Sequence, residues 1–252
     1  LTKPEADERD QRPRRINQIL TLAGITSRRK ADDLIQSGRV SVNGRVVTEL
    51  GFRAIWGQDH ILVDDRDIPK PFKRIYLMMN KPFGTMSTLS DPAGRVLVTD
   101  LVKGVDQRVY PVGRLDFDTM GLLLLTNDGE WANRLAHPRY RIPRTYKATV
   151  SGRVSDGAIT RLQAGVTLDE GRCAPARVTL IARSERQSVL RVTISEGKRR
   201  QVRRMLEAVG YRVVHLIRSD FGGLTLGDLK VGQYRHLTDE EVDSLKKRVN
   251  LR

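Results

Sequence analysis

Between Gly113 and Gly129 the chain reads Gly-Arg-Leu-Asp-Phe-Asp-Thr-Met-Gly-Leu-Leu-Leu-Leu-Thr-Asn-Asp-Gly, and its charged half is the stretch best suited to chemistry. Arg114, Asp116 and Asp118 stand in a polar loop that passes directly into the apolar run Leu122 to Leu125. A carboxylate at the mouth of a buried strand is held by a rigid scaffold, where it can attack an electrophilic carbon or draw off a proton. The same pattern also fits a turn decorated with solvated charges, and spacing alone does not separate the two. Two further stretches carry reactive types. In Arg144 to Val150, strand alternation puts Tyr146, Ala148 and Val150 on one face, where a tyrosine serves a core as readily as a site. Ser195 to Met205 is dense in cations, and its Arg203 fits a phosphate contact or a solvated helix face, as do its neighbours Arg199, Arg200 and Arg204.

These residues need elements to hold them. Strands are expected at Ile75 to Met79, Gly121 to Thr126, Thr145 to Val150, Arg177 to Ala182, Val189 to Ile194 and Val213 to Ile217. Helices are expected at Glu130 to His137, Ser155 to Ala164 and Arg199 to Val209, the last with Val202, Met205, Leu206 and Val209 as one apolar stripe. Thr238 and Glu241 form a capping box that opens a final helix. Strands and helices do not alternate strictly, so the fold class is α+β, on a mixed or antiparallel sheet with flanking helices.

Upstream lies a smaller unit, residues 14–68. Ile16, Ile19 and Leu20 recur at helical spacing and Gly24 stops that helix. Ser27 caps a second helix carrying Ala31, Leu34 and Ile35, which ends at Gly38. Asn43-Gly44 between Val40 to Val42 and Arg45 to Val47 is a hairpin signal, because a type I′ turn needs positive φ at both positions. A further strand is expected at His60 to Val63. The acidic and proline-rich residues from Asp64 to Pro71 read as connecting chain, with the linker at 69–72 and the larger domain at 73–252. Residues 1–13 read as a flexible tail without a signal peptide, and since residue 1 is Leu an upstream start is expected.

Composition narrows the partners. Against 30 Asp and Glu the chain of 252 residues carries 45 Lys and Arg, a formal charge of +15 that favours a polyphosphate through counterion release. Arg28, Arg29 and Lys30 cluster at the start of the second helix, where free N–H groups also attract phosphate, and Arg39 adjoins the hairpin. Cys173 is the only cysteine, which excludes an intrachain disulfide and a multi-cysteine zinc site. The four histidines are scattered, and no Gly-x-Gly-x-x-Gly or Gly-Lys-Ser/Thr loop is present, so neither metal nor nucleotide cofactor is expected. No apolar run approaches the roughly 20 residues that span a bilayer. The expectation is a cytoplasmic, monomeric nucleic-acid-binding protein away from membranes.

Residues 14–68 resemble the S4 RNA-binding domain, through Ala23-Gly24-Ile25-Thr26-Ser27-Arg28-Arg29 and Gly38-Arg39-Val40-Ser41-Val42-Asn43-Gly44. Gly113 to Asp116, followed by Thr119, Gly121 and the leucine run, resembles the signature of the pseudouridine synthases of the small-subunit pseudouridine synthase A family. Leu77 to Gly84 with Ser87-Thr88 matches that family's first strand and loop, and Ser195 to Met205 its late strand-to-helix junction. The resemblance extends from residue 14 to about residue 245, and the large-subunit pseudouridine synthase B branch looks nearest. It implies a cofactor-free isomerase that converts a uridine of rRNA, most simply 23S large-subunit rRNA, to pseudouridine. It also implies roles: Asp116 as nucleophile, Arg203 as its basic partner, Tyr146 against the flipped base, and Arg114 holding the flipped-out state. Arg28, Arg29, Lys30, Arg39 and Arg199 are then the expected RNA contacts. The competing reading is a non-catalytic S4-domain RNA-binding or ribosome-assembly protein, which would have no need of Asp116, Tyr146 and Arg203 together.

Overall fold

The computed structural model describes residues 12–69, 73–105 and 107–251. Most of the expected tail and linker therefore lies outside the described residues. By internal contacts the chain forms two units, Leu1–Arg74 with Asp106–Arg108, and Ile75–Val105 with Val109–Arg252.

The small unit runs β1 (Arg14–Arg15), α1 (Ile16–Leu22), α2 (Arg28–Gln36), β2 (Val40–Val42), β3 (Arg45–Val46), β4 (Arg53–Ala54), β5 (Ile61–Val63) and β6 (Arg66–Asp67). Ile16, Ile19 and Leu20 of α1 pack on Ala31 and Ile35 of α2 and on Val40, Val42 and Ile61 of the sheet, all within one cluster. Asn43 (φ 52°) and Gly44 (φ 79°) both occupy the left-handed region, as the hairpin requires. Asp64 and Asp65 do the same, at φ 50° and 60°. This corrects one expectation. The acidic run does not start the linker but turns β5 back into β6, with Leu62 opposite Asp67 and Val63 opposite Arg66. Aspartate tolerates that conformation, so an Asp-Asp turn closes a hairpin that composition alone marks as connecting chain.

The large unit comprises β7 (Tyr76–Lys81), β8 (Tyr110–Pro111), β9 (Met120–Thr126), α3 (Gly129–Ala136), β10 (Arg144–Ser151), α4 (Asp156–Ala164), β11 (Thr167–Leu168), β12 (Gly171–Arg172), β13 (Arg177–Arg183), β14 (Gln187–Ile194), α5 (Gln201–Ala208), β15 (Val213–Phe221), β16 (Leu224–Thr225), β17 (Tyr234–His236) and α6 (Asp239–Arg248). Its main sheet has the order β13-β14-β10-β15-β9-β7-β17. β15 and β9 run parallel and the other neighbours antiparallel, so the sheet is mixed. The leucine run explains the layering. Leu123 and Leu125 join the core beneath α4 and α5, whereas Leu122 and Leu124 join the core beneath α3 and α6. A strand buried on both faces has no polar alternation, which is why it reads as an unbroken apolar run.

The expected capping box at Thr238 and Glu241 is formed. Several boundaries move, most by a residue or two, and two of the shifts fall at residues near Asp116 and Asp118. α5 starts at Gln201, because Arg200 sits in the left-handed region at φ 49° and cannot continue a helix backwards. β15 continues four residues past Ile217, to Phe221.

Candidate active site

The loop from β8 to β9 carries Asp116 and is fastened on both sides of it. Before Asp116, the Ser87 hydroxyl donates to the Leu115 carbonyl at 3.0 Å and accepts from the Leu115 N–H at 3.3 Å. After it, the Gly84 N–H donates to the Phe117 carbonyl (3.0 Å), and the buried Lys81 ammonium donates to the carbonyls of Thr119 (2.8 Å) and Phe117 (3.5 Å). A turn closes across the loop, Thr119 N–H to Asp116 carbonyl at 3.0 Å. Gly121 begins the strand at φ 102°, and a β-carbon there would lie 2.3 Å from the Arg218 carbonyl, so only glycine lets β9 and β15 meet at this register.

One pocket collects Arg114, Asp116, Arg144, Tyr146, Lys198, Arg199, Arg200 and Arg218, with apolar walls from Val112, Leu115, Ile194, Val202, Leu216 and Phe221. Among the described residues Asp116 is the only carboxylate lining it, against five arginines and one lysine. The side chain has no hydrogen bond or ion pair among the described residues, but its negative charge acts on Lys81, Arg200 and Arg203. Tyr146 is buried on the inner face of β10 with Ala148 and Val150, as alternation requires. The pocket thus joins Asp116, Tyr146, Arg114 and Arg199.

Arg203 is placed differently from expectation. It is buried on α5 outside the pocket wall, and the carboxylate it meets is that of Asp118, at 3.4 Å, with a further bond to the Asp118 carbonyl at 2.8 Å. No ion pair joins it to Asp116 among the described residues. Arg200 holds the same Asp118 carboxylate through two bonds of 3.0 and 3.1 Å. Burial raises the Asp118 carboxyl, but the Arg200 hydrogen bond and the charges of Arg203 and Arg200 outweigh it, leaving the group below the usual carboxylate range. Asp118 is therefore engaged in structure, which separates it from its loop neighbour Asp116.

Two site residues were missed by sequence reasoning. Arg218, almost fully buried, is the register partner of Tyr146 on β10 and of Gly121 on β9. Its Nε donates to the Leu122 carbonyl at 2.7 Å, and one Nη has no partner among the described residues. Arg144 lies over one ring shared with Arg218, that of Phe221, at 5.4 and 5.1 Å. Burial and the charge of Arg218 push the Arg144 guanidinium below its usual pKa. The signal for Arg218 was hidden because a strand ending at Ile217 leaves it in a loop. In the small unit, Arg28, Arg29 and Lys30 are exposed at the start of α2, as expected. Arg39 is not free: Asp64 pairs with it through bonds of 2.6 and 2.5 Å, so much of its charge is met within the protein.

A mixed sheet that presents one carboxylate inside an otherwise cationic pocket, in a chain with a basic helix–helix–hairpin unit, defines an enzyme built for a polyanionic substrate. Family comparison gives the class its name. Residues 75–208 match the RNA pseudouridylate synthase family and residues 14–54 the S4 domain. The chain is 45% identical over 234 residues to a Bacillus subtilis (strain 168) protein named ribosomal large subunit pseudouridine synthase B, covering 92% of this chain and 95% of that one. It is 36% identical over 234 residues to the Escherichia coli (strain K12) ribosomal small subunit pseudouridine synthase A, covering 92% and 99%. A crystal structure of a pseudouridylate synthase superposes with a TM-score of 0.67 at 30% identity, over 92% of this chain and 99% of the other. The chain belongs to the RNA pseudouridylate synthase family of RNA isomerases and carries an S4 domain at its N-terminal end. Among the described residues no helix is long and apolar enough to cross a membrane.

Proposed function

We propose that the chain isomerises a specific uridine of large-subunit ribosomal RNA to pseudouridine, with Asp116 as nucleophile. The observation that carries this reading is Asp116 as the sole carboxylate among the described residues of a pocket that it shares with Tyr146, five arginines and one lysine. The isomerisation breaks the N1–C1′ bond and forms C5–C1′; the proton leaves C5 and one is taken up at N1. No atom is gained or lost, so one carboxylate and a pocket that turns the base suffice. Tyr146 stacks on the extruded base, repaying part of the few kcal/mol that flipping costs. Arg114, exposed at the pocket rim, holds the flipped-out strand, and Arg199 meets phosphate. Arg203 acts on Asp116 through longer-range charge while it fixes Asp118.

RNA is gripped by the small unit through Arg28, Arg29 and Lys30, whose phosphate contacts position without reading sequence. The choice of large-subunit rRNA follows the name of the Bacillus subtilis relative. The reading includes action as a cytoplasmic monomer, which sedimentation of the purified protein and its location in the cell would check. The decisive experiment incubates wild type, Asp116→Asn and Asp116→Ala with ribosomal RNA transcripts and maps pseudouridine. Wild type forms product at a discrete position, and both variants form none while binding RNA with unchanged affinity. Equal loss of binding and product would remove Asp116 from its role, and a wild type inert on every transcript would return the chain to the non-catalytic RNA-binding reading.

A further inference from the structure

Two aromatic rings lie outside the pocket and serve no core. Among the described residues Phe83 and Phe117 are the exposed aromatics, at 62% and 40% exposure. They touch each other, with ring centroids 6.2 Å apart and a tilt of 56°. Phe117 follows Asp116 directly in the chain, and Phe83 belongs to the turn after β7 whose Gly84 N–H holds the Phe117 carbonyl. The Arg95 guanidinium sits 5.7 Å from the Phe117 ring centre and is fixed there by two bonds to Asp91 of 2.9 and 2.6 Å. The rings are therefore mounted on backbone that is already ordered, and little freedom is lost when something covers them.

We propose that Phe83 and Phe117, with Arg95 at their edge, are a stacking platform for unpaired RNA bases next to the extruded uridine. This rests on the function proposed above. Extruding one nucleotide leaves its neighbours with unstacked faces, and any base presents a π-face that an exposed ring can cover without reading sequence. Phe117 adjoins the proposed nucleophile in the chain, which puts the platform on the same loop as the residue that would meet the extruded base. A cation against the ring and a chain charge of +15 favour a polyanion that carries aromatic groups over an apolar protein segment.

The test uses a single-stranded oligouridylate carrying one 2-aminopurine, whose fluorescence falls when it stacks, with wild type, Phe83→Ala and Phe83→Trp. Phe83 is exposed, so neither substitution opens a core. Wild type and Phe83→Trp quench the probe; Phe83→Ala does not, and its affinity falls by about 5- to 160-fold, the range of one base–aromatic stack. On ribosomal RNA the change appears in KM rather than kcat. A Phe83→Ala variant that quenches and binds like wild type would overturn the platform and leave the surface to a protein partner. Wild type that quenches the probe yet makes no pseudouridine would instead count against the catalytic reading alone.

Discussion

Lys81 is the residue through which loop geometry, charge and pH dependence can be tested together. Its side chain is fully buried, and its ammonium donates to the carbonyls of Thr119 (2.8 Å), Pro82 (3.1 Å) and Phe117 (3.5 Å), so it fastens the Asp116 loop from below. Burial pushes its pKa from 10.5 down to about 8, against the pull of Asp118 and Asp116 and with the repulsion of Arg218. Holding that charge near neutral pH therefore costs on the order of 3 kcal/mol. Lys81→Met removes the cost but also the charged hydrogen bonds, each worth roughly 1.5–3 kcal/mol. Three such bonds outweigh that cost, so the variant should fold but lose about 2 kcal/mol or more of stability near neutral pH while its loop loosens, and a displacement of about 1 Å is enough to lower kcat about 100-fold. The sign of the pH effect is fixed. Between pH 8 and 10.5 the unfolded chain keeps a proton that the folded chain has released, so this group makes stability rise with pH. Urea unfolding at pH about 7.5 and about 9.5 should show wild type gaining about 2 kcal/mol relative to Lys81→Met. Single-turnover pseudouridine formation supplies the other half: a wild-type decline above pH about 8, absent from a uniformly slow variant. Wild-type kcat in Lys81→Met, or a stability difference that is flat with pH, would refute the account.

Asp118→Asn should slow catalysis less than Asp116→Asn and cost about 2 kcal/mol of stability, since it leaves the buried Arg203 facing a neutral group. Because the Asp118 pKa is depressed, that stability is present above the ordinary value of 3.8 and is lost as pH falls through the folded value, so unfolding curves of wild type and variant should converge in acid. Gly121→Ala should cost about 3 kcal/mol or more in denaturant unfolding, through the 2.3 Å approach to the Arg218 carbonyl and the positive φ together. Arg28→Glu with Arg29→Glu should weaken RNA binding and flatten its salt dependence by about 0.7–0.9 in log–log slope per lost phosphate contact, with the fold intact by circular dichroism. An unchanged slope would remove α2 from the RNA contact.

What was legible in the sequence shares a physical character. Local patterns gave the hairpin at Asn43-Gly44, the cap at Thr238 and the doubly buried run at Leu122 to Leu125, because each is decided by residues within a few positions of each other. Asp116 and Tyr146 were legible through family signatures and meet in one pocket. What was not legible depends on pairing over long separations. Arg218 reads as a polar residue beyond a strand until β10 and β9 flank it and place it between Tyr146 and Gly121. The Asp64-Asp65 turn depends on β6 finding β5, and the partner of Arg203 depends on which of two aspartates the loop turns toward α5.

Asp116 and Asp118 are two positions apart, and only a loop tied at Leu115, Phe117 and Thr119 can send one carboxylate into the pocket and the other to Arg200 and Arg203. Asp118 is thus occupied by two guanidinium groups, while the Asp116 side chain has no hydrogen bond or ion pair among the described residues. With Asp116 as the proposed nucleophile, a direct Asp116–Arg203 bridge would have to break before attack, adding the cost of parting charged partners to the barrier. Arg200 and Arg203 are instead held on Asp118 before any substrate arrives. On the proposed function, Asp118 helps to set the reactivity of Asp116 by taking the contacts of Arg200 and Arg203 that would otherwise block it.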